Sequence, residues 1–300
     1  MFMRLIRPVV KLFCSMISVC VLAMALPGTI QAIQLDSQEY KLLLKADNFA
    51  DKEQGYRAYW EKVRQTAGES GIGVVENANP FAEDAKQVMY LDTKNMELTK
   101  QNYILRLRTK YVDGQPAADS ELTLKYRVPE LQGITELSVQ TARGYKSVSK
   151  LQEDCVGYYR GQAGVNGGEF GLSRALKKIP RSLRTTLGDY AVFFPTLNEL
   201  GIAATEPVSI INNLMVREVK VSPGELDFGD GLKGEVTISL WYDENSSKLI
   251  AAEFSYEVDL INASGKSLEK CRDFFNQLQN NTQSTLYPGQ TKVQFVYDYK

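Results

Sequence analysis

Between Tyr90 and Arg127 apolar and polar positions take turns along two runs. Leu105 and Leu107 share one parity and Arg106 and Arg108 the other; Leu122, Leu124 and Tyr126 alternate with Glu121, Thr123, Lys125 and Arg127. Successive strand side chains point to opposite faces, so each run predicts a strand with one apolar and one cationic face. Residues 112–116, which include Asp113, Gly114 and Pro116, predict the turn between them. Residues 37–45 alternate too, placing Glu39 and Lys41 opposite Tyr40, Leu42 and Leu44. In residues 56–67 the spacing changes: Tyr56, Tyr59, Trp60 and Val63 form a helical stripe. Alternation returns in residues 214–221, 235–242 and 249–260, predicting an antiparallel meander, and a last helix is expected over residues 264–280. We expect residues 293–299 to continue as an alternating tail. The pattern weakens between 138 and 210. There a glycine-rich surface loop is expected at 161–171, one or two short helices broken at Pro180 over 170–187, and a core segment at 192–200.

Residues 1–32 stand apart. Arg4, Arg7 and Lys11 precede an apolar run from Leu12 to Leu26, then Pro27–Gly28 and small or neutral residues up to Ala32. This is the layout of a secretory signal peptide, and the run is shorter than the roughly 20 residues of a spanning helix. We expect cleavage after Ala32, an exported chain in the periplasm or secreted, and no stable membrane span afterwards; an uncleaved anchor is the competing reading. Loss of those three basic residues takes the net charge from −1 to −4, which argues against a nucleic-acid binder.

Composition restricts the chemistry further. The 300 residues include no histidine, which excludes histidine bases, triads and the common zinc sites. A metal would need oxygen ligands, favouring Mg²⁺, Mn²⁺ or Ca²⁺. Outside the leader two cysteines remain, Cys155 and Cys271; in an oxidising compartment a disulfide between them is favoured over a catalytic thiol. Arg106, Arg108, Lys125 and Arg127 fall on one surface if their strands are neighbours, and that surface asks for an anion. The plain alternative is a solvated sheet face. Glu257 and Asp259 share a parity, roughly 6.6–6.8 Å apart along the chain, and would flank one cation.

Residues 90–110 and the strand Glu121–Arg127 together resemble the signature of the CYTH superfamily, the triphosphate tunnel metalloenzymes. It comprises a Tyr-x-Asp-Thr turn, an alternating Leu-Arg-Leu-Arg strand and a Leu-Thr-Leu-Lys strand. SQEYKLLL stands where that family has its N-terminal Glu-x-Glu-x-Lys strand, and YEVDL resembles its late acidic strand. The resemblance implies an α+β fold, an antiparallel β-barrel forming a tunnel with helices packed outside. It implies one domain over residues 33–300, with a helical or loop insertion around 148–210. It further implies that Glu39 and Lys41 are catalytic, that Glu39, Glu257 and Asp259 hold Mg²⁺ or Mn²⁺, and that Arg106, Arg108, Lys125, Arg127 and, more weakly, Arg217 grip the phosphates of a small polyanion. Ser37 departs from the family, which has a Glu there. Three readings therefore stay open: a metal-dependent phosphohydrolase, a non-catalytic exported anion-binding protein, and a structural envelope protein that keeps only the barrel.

Overall fold

A computed structural model describes residues 34–158, 164–261, 263–288 and 291–300. The predicted leader, and part of the expected glycine-rich loop, lie outside them. In chain order the first half runs β1 (Ser37–Leu44), α1 (Lys52–Glu69), β2 (Gly73–Glu76), β3 (Asp84–Thr93), α2 (Glu97–Lys100), β4 (Tyr103–Val112), β5 (Gln115–Val128) and β6 (Ser147–Gly157). The second half runs β7 (Val165–Pro180), α3 (Leu187–Ala191), β8 (Val208–Ile210), β9 (Val216–Val221), β10 (Gly224–Gly229), β11 (Leu232–Asp243), β12 (Leu249–Asp259), α4 (Gly265–Thr282) and α5 (Lys292–Asp298). Among the described residues nine strands close a barrel in the order β12-β1-β6-β7-β5-β4-β3-β9-β11, with β11 returning to β12. β10 and β2 extend from β11 as a side ribbon, and β8 pairs with β3.

The expected barrel with outer helices is what the chain forms, with three corrections. β1 and β6 run parallel, so the barrel is mixed rather than wholly antiparallel. Of the helical or loop insertion expected around 148–210, the first part instead supplies the staves β6 and β7, with 170–180 strand and not helix, while 181–207 is helix and loop. On β7 the outward row is Phe170, Leu172, Arg174 and Leu176, while the inward row is Gly171, Ser173 and Ala175. Small inward residues do not read as polar, and Arg174 interrupts the apolar row, so the period of two is hidden in the sequence. The tail 293–299 folds as α5 rather than a strand. The barrel leaves no free stave position beside it, and a helix satisfies its backbone groups internally.

The turn between β4 and β5 behaves as its residues dictate. Val112 pairs with Gln115, and Asp113 and Gly114 both take positive φ, 50° and 77°, the two-residue hairpin geometry that Asp-Gly favours. Asp92 of the Tyr-x-Asp-Thr turn is a structural residue. Buried at 2% exposure, it accepts hydrogen bonds from the backbone N–H of Thr93 (2.7 Å), Leu98 (3.0 Å) and Thr99 (2.9 Å) and from Thr99 Oγ1 (2.7 Å). Asp92→Ala orphans those donors and is expected to cost about 2–4 kcal/mol in urea unfolding; a loss within about 0.5 kcal/mol would show the turn to be held by other contacts.

Apolar side chains cover the outside of this barrel. The α1 stripe Tyr56, Tyr59, Trp60 and Val63 is buried as expected, in one cluster with Tyr40, Leu42, Phe254 and, from α4, Phe275. On another flank Leu105, Leu107, Leu122, Leu124, Leu172 and Leu176 are covered by Tyr190, Phe193, Phe194 and Leu197. The period of two then turns the polar rows of β1, β4, β5 and β6 inward.

Candidate functional site

The lumen gathers most of the predicted cationic residues. On β1 the inner row is Ser37, Glu39 and Lys41; on β4, Arg106 and Arg108; on β5, Thr123, Lys125 and Arg127. Register ties these rows together: Arg106 stands opposite Thr123, and Glu39 stands between Asp154 of β6 and Glu257 of β12.

Asp154 is the hub of the first cluster. Its Oδ2 accepts from Lys125 Nζ at 2.8 Å and Arg127 Nη2 at 2.7 Å, and its Oδ1 from Lys41 Nζ at 2.8 Å. Lys41 also meets Glu39 at 2.8 Å, and Gln152 Nε2 donates to Glu39 at 2.7 Å. Burial alone would push the Asp154 carboxyl up, but Lys125, Lys41 and Arg127 hold it well below the usual range. For Glu39 the same burial is outweighed mainly by Lys41, leaving it at about 2. Lys41, between two carboxylates, is raised. Burial lowers Lys125, which shares one carboxylate with Arg127 and Lys41, to about 8. β7 leaves room for this cluster: a Cβ on Gly171 would stand 2.1 Å from Lys125 Cε.

Arg106 and Arg108 form a second cluster that the protein does not satisfy. They reach Glu121 only at 4.0 and 3.9 Å, and Arg108 Nε lies 3.9 Å from Glu218 Oε2. Among the described residues both Nε atoms are buried without a hydrogen-bond partner, as are Arg127 Nε, Thr123 Oγ1 and Ser37 Oγ. Buried polar groups are paired in the great majority of cases, so these five orphans, with Glu218 Oε2 a sixth in the same lumen, mark a place built for something polar. Burial first, and then Arg108, lowers the Arg106 guanidinium; Arg108 is raised despite burial, chiefly by Glu218.

Several sequence-predicted residues are elsewhere. Arg217 is exposed on the outer face, its guanidinium 5.4 Å from the centre of the Tyr111 ring; its neighbour Glu218 is the inward residue. Asp259 is exposed at the end of β12, accepting from the Ile261 N–H at 2.8 Å. Glu257 is on the inner row but is engaged by Lys150. Cys155 and Cys271 are buried free thiols, not a disulfide, and burial raises both; they pack as small apolar residues in the α1–α4 cluster. Sequence reasoning missed Asp154, Gln152, Glu218, Glu253 and Lys292, although Lys150-x-Gln152-x-Asp154 carries the alternation that would have found the first two.

The inner carboxylates do not fit a resident Mg²⁺ or Mn²⁺. Among the described residues no three acidic side chains come together as metal ligands. Glu39, Asp154, Glu253 and Glu257 each already meet a lysine or arginine. The trio Glu39, Glu257 and Asp259 is not assembled, because Asp259, opposite Ser37 at the end of β12, is exposed and bonded to the Ile261 N–H, and Glu257 faces Lys150.

No family model matches the chain, and no curated protein matches it. Solved structures do show similarity. One is HpAC1 of Hippeastrum, an adenylyl cyclase candidate described as having a dominant triphosphatase activity. It is 13% identical, over 89% of this chain and 97% of that one, with a TM-score of 0.46. Another is a candidate adenylate cyclase of Bacillus halodurans, 12% identical over 87% and 98%, TM-score 0.39. The PH1819 protein of Pyrococcus horikoshii is 13% identical over 87% and 99%, TM-score 0.36. At these values similarity carries no function to this chain, and the case rests on the lumen. No helix among the described residues is long and apolar enough to cross a membrane.

Proposed function

We propose that the lumen binds the phosphate groups of a small polyphosphate or organic phosphate, with the protein's own cations in place of a bound metal. The observation that carries this is the half-buried pair Arg106 and Arg108 on one face of β4, whose Nε atoms are buried without a hydrogen-bond partner and whose carboxylates stand no nearer than 3.9 Å. A guanidinium donates in a planar fork that fits phosphate oxygens, and a multiply charged anion both satisfies the orphans and relieves repulsion between the two arginines. Lys125 and Arg127 reach the same space from the neighbouring strand. Of the open readings this favours an anion-binding protein over a metal-dependent hydrolase. The leader predicted for residues 1–32 supports placing it outside the cytoplasm; the N-terminal mass of the recovered chain tests that.

Titration of tripolyphosphate into the chain by calorimetry, in EDTA and again in Mg²⁺, decides the point. We expect binding of similar strength in both, with no phosphate released. Binding that appears only with Mg²⁺ and is followed by release would replace this reading with the hydrolase. A pH series adds a second check. Lys125 titrates at about 8, so affinity is expected to fall as pH rises through that value and the ammonium charge is lost. Lys125→Met should flatten the profile; an unchanged slope would place the titrating group elsewhere.

A further inference from the structure

The short helix α5 sits over one end of the barrel with a face turned into it. Val296 is fully buried in a cluster with Val88, Tyr90, Val216, Trp241 and Ala251. These are inner-row positions, since Val88 and Tyr90 pair with Arg108 and Arg106, and Trp241 pairs with Glu218. Asn212 Nδ2 donates to the carbonyls of Val296 at 2.8 Å and Tyr297 at 2.9 Å, and Tyr299 donates to Asp243 at 2.8 Å. One turn before Val296, on the same helix face, Lys292 points inward. Its ammonium meets Glu253 at 2.9 Å, Ser239 Oγ at 3.1 Å and Glu218 Oε1 at 3.4 Å.

That contact bears on the arginine pair. Glu218 is held by its Oε1, from Trp241 Nε1 at 2.9 Å and from Lys292. Its Oε2 has no hydrogen-bond partner and stands 3.9 Å from Arg108 Nε, a loose ion pair in which the nitrogen also lacks a hydrogen bond. Those two atoms are about one ångström beyond hydrogen-bond length. Without Lys292, Arg108 is the nearest remaining cation for a carboxylate that is 2% exposed, and a buried carboxylate left short of charge draws in whatever cation is in reach.

Resting on the anion-binding reading above, we propose that Lys292 is a positioning residue of the site. By occupying Glu218 and Glu253 it keeps Glu218 off Arg108, so that the C-terminal helix holds the arginine fork available for a phosphate ligand.

The test is calorimetric titration of tripolyphosphate into the full chain and three variants. Lys292→Met should weaken binding about tenfold, the worth of one charge-assisted contact, and Lys292→Arg should restore it. The decisive variant pairs Lys292→Met with Glu218→Gln. With no carboxylate to capture Arg108, affinity should return to near the wild-type value, which a purely structural role for Lys292 does not foresee. This variant also serves if Lys292→Met alone fails to fold, because it carries one buried negative charge fewer. Wild-type affinity in the single variant, or affinity in the double variant well below wild type, overturns the proposal while leaving the anion site standing. No binding by the wild-type chain overturns the anion site and this inference with it.

Discussion

A chain carrying Arg106→Met and Arg108→Met is expected to lose tripolyphosphate binding by about a hundredfold or more and yet to melt higher than the wild type. The loss follows from removing two charge-assisted contacts, each worth about 1.5–3 kcal/mol. The gain follows from the ligand-free state. Both side chains are half-buried with a buried, unpartnered Nε and reach carboxylates only at 3.9–4.0 Å, and they stand next but one on a strand, so they repel along its inner face. Methionine keeps much of the length and packing without the charge, and replacing poorly paired buried charges by apolar groups is often stabilising by about 1–4 kcal/mol. Opposite signs for binding and stability mark a functional site, where strain is kept for the ligand. Calorimetry and a thermal melt read both quantities. If the double variant binds as the wild type does and melts lower, the arginines serve the fold and the phosphate reading fails.

Asp154→Asn is expected to have the reverse character. Asp154 is 1% exposed and bonded to Lys41, Lys125 and Arg127. Removing its charge without changing its shape leaves three buried cations with too little negative charge, a break that costs about 3–5 kcal/mol. The pH dependence follows from the direction of the shift. The carboxyl is held well below its ordinary value in the folded state, so its contribution is complete above the unfolded value of about 3.9 and is lost as pH falls through the folded one. The gap between wild type and variant in urea should therefore be full at neutral pH and shrink below about pH 4. Tripolyphosphate should also stabilise the variant more than the wild type, because the anion supplies the missing charge. Equal unfolding midpoints at neutral pH would show that the three cations are held without Asp154.

The barrel was legible where both rows of a strand declare themselves. Leu105 and Leu107 against Arg106 and Arg108 state which side faces the lumen, and the structure agrees. It was illegible where one row is made of small residues, as with Gly171, Ser173 and Ala175 of β7, whose size answers to Lys125 and not to polarity. Arg217 and Glu218 differ by a single position, which in a strand moves a residue to the other face, and the sequence alone does not say which of the two points inward. Lys292 was hidden for another reason: the residues 293–299 alternate, but the number of staves needed to close a barrel is not written in any one segment. Asp154 belongs to the same class, since its three partners come from β1 and β5 and become neighbours only after closure.

The seam where the barrel shuts has a consequence for how the molecule comes into being. β1 pairs from Ser37 with Asp259 through Leu44 with Ala252, so the first stave to leave the ribosome is joined to the last. Its other neighbour, β6, is itself some hundred residues downstream and runs parallel, so no local hairpin can shelter it meanwhile. Contacts of that separation are slow to form. Until β12 is synthesised the nascent chain carries unpaired backbone at both rims and apolar strand faces whose covering helix α4 does not yet exist. A growing chain of this design needs shelter until β12 appears, and ending it anywhere before residue 249 should yield an aggregate, not a smaller barrel.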